Sequence, residues 1–98
     1  MSTEIICTLT GDEFRRREQD VISRLMPLVT ETVETGAGYR FRFAFSEETL
    51  ESVFEFIRLE RECCRFLDFR LDVSAEKDIM LELSGPKGTK QFIAATFK

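Results

Sequence analysis

From Tyr39 to Phe45 the chain alternates without a break: Tyr39, Phe41, Phe43 and Phe45 fall on one side of an extended backbone, and Arg40, Arg42 and Ala44 on the other. A period of two predicts an antiparallel strand with one covered face and one wet face. The same period returns downstream. Phe69, Leu71 and Val73 alternate, Ala75–Asp78 supplies a turn, and Ile79, Leu81 and Leu83 alternate again, which predicts a second hairpin. Upstream, the β-branched run Leu28–Thr35 reads as a strand, with Gly36 and Gly38 supplying the turn into residues 39–45. Near the start, Ile5, Cys7 and Leu9 alternate with Ile6 and Thr8, predicting a short first strand.

Helical spacing fills the gaps. Thr10 and Glu13 stand at capping-box distance, so a helix is expected to begin near Gly11. Its apolar stripe is Phe14, Val21, Ile22 and Leu25, and Pro27 discourages continuation beyond Met26. Ser46 is the expected N-cap of a second helix, with Glu47 and Glu48 placed well against the positive end of its macrodipole. That helix is expected to run through Leu50, Val53, Phe54 and Ile57 to about Cys64. A final short helix opens at Gly85–Lys90 and turns Phe92, Ile93 and Phe97 inward.

The predicted order is βαββαββα: one α+β domain spanning residues 1–98, with a meandering antiparallel sheet and helices on one face. Its first six elements follow the ferredoxin-like order. Without the first strand, the chain instead reads as α(ββα)2, a helix followed by two hairpin-plus-helix units in an approximate internal repeat.

Composition narrows the function classes. Apolar residues make up 43% and charged residues 33%, an ordinary balance for a folded domain. The net charge of −4 disfavours nucleic acid as a partner. No apolar run approaches the ~20 residues of a membrane helix, and Met1–Thr10 lacks the basic head and apolar stretch of a secretory signal. A cytoplasmic location is therefore expected, and three cysteines, an odd number, fit a reducing compartment.

Two of those cysteines are adjacent, in Glu60–Phe69 (ERECCRFLDF), and the chain has no histidine. At ~100° per residue, Cys64 shares the stripe of Leu50, Phe54 and Ile57. Cys63 falls on the flank beside Phe56 and Glu60, near the rim. Adjacent Cα atoms ~3.8 Å apart lie closer than the usual disulfide range of ~4.4–6.8 Å, so a Cys63–Cys64 bridge is not expected. Cys7 and Cys64 are expected to face the same side of the sheet. With Cys63 they form a candidate three-thiolate site for a soft ion such as Cu(I), Hg(II) or As(III). Glu60, one turn before both cysteines, is a candidate fourth donor or proton acceptor; the plainer reading is a flanking surface charge. Zinc, which favours four Cys or His ligands in structural sites, is disfavoured. The plain alternative for the cysteines is packing, since free cysteine often behaves as a small hydrophobe. Placement near the negative end of a helix also disfavours a thiolate.

The motifs E-x-x-C-C-x-F-x-x-F (Glu60–Phe69) and G-P-x-G-x-K-x-F (Gly85–Phe92), with C-T-L-T at Cys7–Thr10, run through nearly the whole chain. In these the chain resembles a largely uncharacterised family of small bacterial proteins, some of which occur among heavy-metal or metalloid resistance genes. The resemblance implies a soft-metal role for Cys7, Cys63 and Cys64. The family often has proline where this chain has Arg65, so the helix is expected to run a residue or two further here.

Without histidine, the usual general base and the Cys–His and Ser–His nucleophile pairs are absent, and no enzymatic activity is expected. Arg15–Asp20 reads as a solvated helix face. Two functions remain in view. One is a soft-metal or metalloid thiolate binder using Cys7, Cys63, Cys64 and Glu60. The other is a non-enzymatic interaction or homodimerisation domain with structural cysteines, in which the uncovered sheet face, an edge strand or an exposed aromatic supplies the contact, while Arg40, Arg42, Asp72 and Glu82 work to keep the sheet face wet.

Overall fold

A computed structural model describes residues 12–75 and 77–97. Its elements are α1 (Asp12–Leu25), a 3-10 turn (Met26–Leu28), β1 (Val29–Glu34), β2 (Gly38–Ala44), α2 (Glu47–Cys63), β3 (Asp68–Val73), β4 (Asp78–Ser84) and α3 (Thr89–Phe97). The four strands form one antiparallel sheet in the order β1-β2-β4-β3, with helices on one face. The expected α+β fold with an open sheet is therefore present. The described elements read αββαββα; the expected first strand at Ile5–Leu9 and the Thr10 cap lie outside the described residues.

The sheet is not a simple meander. The chain leaves β2, crosses through α2 to the far edge, makes β3, and only then returns as β4 beside β2. The two hairpins thus meet along the β2–β4 seam, where Phe41 pairs with Leu81 and Phe43 with Ile79. Gly38 begins β2 at a place where a Cβ would run into the Leu83 carbonyl. Only glycine lets the strands approach there.

Strict alternation sorts the faces as expected. Phe41, Phe43, Ile79, Leu81 and Leu83 are fully buried, and each such side chain contributes about 1.5–3 kcal/mol relative to exposure. Arg40 and Arg42 point to the other face and pair there. Arg40 bonds Glu82 at 2.9 Å, and Arg42 reaches Glu31 at 3.4 Å and Asp78 at 3.6 Å. The edges are less regular. A bulge interrupts β1 between Val29 and Glu31, stitched by Thr30 Oγ1 donating to the Arg42 carbonyl at 3.1 Å. On β3 the inner positions Phe69 and Leu71 are half-buried and Val73 is exposed, because the helices do not reach that far.

Helix α2 corrects the predicted packing. Ser46 caps it as expected, its Oγ accepting from the Thr49 N–H at 3.0 Å. The buried stripe, however, is Thr49, Val53, Phe56, Glu60 and Cys63; Leu50 and Ile57 are only half-buried, and Phe54 is 48% exposed. Apolar residues cover about half of this helix's circumference at ~100° per residue. Periodicity alone therefore leaves free which part of that arc meets the sheet. The helix also stops at Cys63 without a proline, and Cys64 is its C-cap at φ −122° and ψ 79°. Beyond it, Phe66 and Phe92 meet edge-on at 5.0 Å, and Phe56 and Phe97 at 5.3 Å. These contacts pin the α2 C-terminus against α3.

Candidate metal centre

The end of α2 brings three of the four expected donors together. Glu60, Cys63 and Cys64 each offer a ligand atom, all within 4.8 Å of one another, and the residues are 1%, 2% and 1% exposed. Helical spacing accounts for Glu60 and Cys63, which lie on the same inward stripe three residues apart. Cys64 joins them differently. As C-cap its N–H bonds the Glu60 carbonyl at 2.6 Å, and its Sγ donates to Glu60 Oε2 at 3.4 Å.

Two expectations are corrected here. Cys63 is not at the rim; the rotation of α2 carries it into the core. Nor is Glu60 a flanking surface charge: it is buried, with the Cys64 thiol and the Glu18 carboxyl beside it. Cys64 is buried as expected, though from beyond the helix rather than from the Leu50–Phe54–Ile57 stripe. Cys7 lies outside the described residues.

The oxidation states of the two cysteines differ. Cys63 is disulfide-bonded, whereas Cys64 is a free, buried thiol. A cation could use both sulfurs only after that disulfide is reduced.

The electrostatics favour bound protons. Burial first, and then the neighbouring Glu18 carboxyl, raise Glu60 to about 9, against a smaller opposing effect from the Cys64 hydrogen bond. Burial, with Glu60 beside it, also pushes the Cys64 thiol well up. Both groups therefore favour their neutral forms at pH 7. The negative end of the α2 macrodipole points the same way. All of these features oppose a nucleophilic thiolate; the second carboxyl and the negative helix end would favour a positive ion, whereas burial favours neutral groups.

Glu18 is the residue that sequence reasoning missed, because Arg15–Asp20 reads as solvated. The signal was its spacing: Glu18 stands three residues before Val21, four before Ile22 and seven before Leu25. It therefore belongs to the stripe that α1 turns toward the core. Both Val21 and Leu25 are buried, and Glu18 is half-buried.

No protein-family model, curated protein or solved structure matches this chain. No helix among the described residues is long and apolar enough to cross a membrane.

Proposed function

We propose that the reduced protein is a non-catalytic binder of a soft metal or metalloid ion, held by Cys63 and Cys64 with Glu60 beside them and Cys7 as a third thiolate. The observation that carries this reading is the buried Glu60–Cys63–Cys64 cluster, whose ligand atoms all lie within 4.8 Å of one another. Two sulfurs in the cluster select thiophilic ions over hard ones. The resemblance carried by the Glu60–Phe69 and Gly85–Phe92 motifs points in the same direction.

The test is titration of the full chain with Hg(II), As(III) and Cu(I), followed by sulfur-to-metal charge-transfer absorbance. After reduction with a dithiol and its removal, the chain is expected to take up one ion with release of protons, since each thiol must ionise to bind. The unreduced chain, with Cys63 still cross-linked, is expected to bind at least about tenfold more weakly, because a disulfide withholds two thiolates. Equal, negligible absorbance change in both forms would reject the metal reading.

The Cys63 disulfide itself favours a second reading. Here the cysteines are structural: the cross-link anchors the end of α2, and the chain is an interaction domain. Reduction would then lower stability by about 2–4 kcal/mol with no ion taken up.

A further inference from the structure

The outward face of α2 carries a pattern that neither the core nor the cysteine cluster uses. Glu47, Glu51, Phe54, Arg58 and Arg61 recur at spacings of four, three, four and three, so they form one stripe along the helix. All five are exposed, and Phe54 at 48% is among the most exposed large apolar side chains described. Leu50 and Ile57, both half-buried, flank it. None of the four charged residues is in an ion pair among the described residues.

We infer that this stripe is a homodimer interface, in which α2 packs antiparallel against α2 of a second copy. The argument is its symmetry. Reading outward from Phe54, the acids lie three and seven residues away on one side and the arginines four and seven on the other. A twofold axis at Phe54 sets Glu47 and Glu51 of each helix against Arg61 and Arg58 of its partner, with Phe54 against Phe54. That is the self-complementarity an isologous contact requires.

The macrodipole accounts for an acid in the first turn and a base in the last, but its influence fades within a turn. It does not account for Glu51 and Arg58, nor for an aromatic exposed between them. Within a single chain the stripe itself sets like charges side by side, only partly offset by Glu55 and Glu62 next to Arg58. Glu47 and Glu51 are like charges four residues apart, and Arg58 and Arg61 three apart, each pair costing about 0.2–0.5 kcal/mol. A second copy converts those repulsions into attractions. The uncovered sheet face, by contrast, already pairs its charges internally, as Arg40–Glu82 and Arg42–Glu31 show. The contact is thus expected on the helix layer.

Charge-swap complementation tests this by sedimentation of the full chain from about 1 µM to about 1 mM, a range that covers weak to moderate self-association. Wild type is expected to reach the dimer mass. Phe54→Ser, at an exposed site that spares the core, is expected to weaken the dimer. So are Glu47→Arg with Glu51→Arg, which makes the stripe all basic, and Arg58→Glu with Arg61→Glu, which makes it all acidic. Each reversal is expected to cost about 100-fold, since like charges then face each other. Mixing the two reversed variants is expected to restore a one-to-one heterodimer, which a general loss of folding would not do. A wild-type chain monomeric at every concentration would overturn the proposal. So would a dimer indifferent to Phe54→Ser and both reversals, or reversed variants that fail to associate when mixed.

Discussion

Two glutamates on opposite sides of the sheet meet opposite fates. Glu82, on the open face, lies 2.9 Å from Arg40 and keeps part of its side chain in water. Glu60, on the covered side, has a thiol and a second carboxyl beside it. Neither arrangement follows from composition, since both regions are built from the same acids. The open face resolves its charges by pairing them, which asks little of the fold and adds little to its stability. The buried cluster resolves its charges by holding protons on groups that burial keeps neutral.

That contrast can be broken or sharpened by experiment. The largest effect is expected in ion binding: Cys63→Ser and Cys64→Ser should each weaken Hg(II) or As(III) binding to the reduced chain by more than about 100-fold, removing a ligand outright where even an outer-shell change costs 10–100-fold. Arg40→Ala should leave it unchanged, and competition against a small dithiol chelator reads both. If Cys64→Ser destabilises the fold yet leaves binding intact, Cys64 is packing only.

An intermediate effect is expected in stability against pH. The unfolded Glu60 carboxyl ionises near 4.5, while the folded one keeps its proton to about 9. Between those values the folded state holds a proton that the unfolded state has lost, so stability falls as pH rises through the window. The decline is up to about 1.4 kcal/mol per pH unit. Glu60→Gln removes this term, so in thermal unfolding of the metal-free chain the variant should overtake wild type as pH increases from 5 to 8. Parallel curves would mean that Glu60 is ionised in the fold.

The smallest effect belongs to the open face. A double-mutant cycle on Arg40→Ala and Glu82→Ala should give a coupling of about 0.5–1 kcal/mol, shrinking in high salt. A coupling several times larger would mean that the open face also depends on its charges.

The legible part of this protein is the part governed by strict local rules. Seven residues alternating from Tyr39 to Phe45 admit one register, because a slip by one residue would bury Arg40 and Arg42. The Ser46 cap was legible for the same reason. The rotation of α2 was not, because its apolar arc is wide enough to offer either Phe54 or Cys63 to the core. The strand order was hidden as well: β2 beside β4 is a non-local pairing, and nothing near Gly38 announces the Leu83 carbonyl waiting for it. The candidate site was legible in its members Glu60, Cys63 and Cys64, but not in its depth. Nor was the Cys63 disulfide visible. Glu18 could be read only by trusting spacing over the charge of its neighbours.

The bulge in β1 also bears on how the protein behaves when crowded. An open sheet ends in two strands whose outer backbone groups can template another chain, and a phenylalanine-rich protein has reason to avoid such growth. The break between Val29 and Glu31 bends one border out of regular pairing. Asp68, Arg70 and Asp72 place exposed charges along the other. Both borders are thus poor seeds for end-to-end polymerisation, a protection the chain obtains from one irregular residue spacing and three charged side chains.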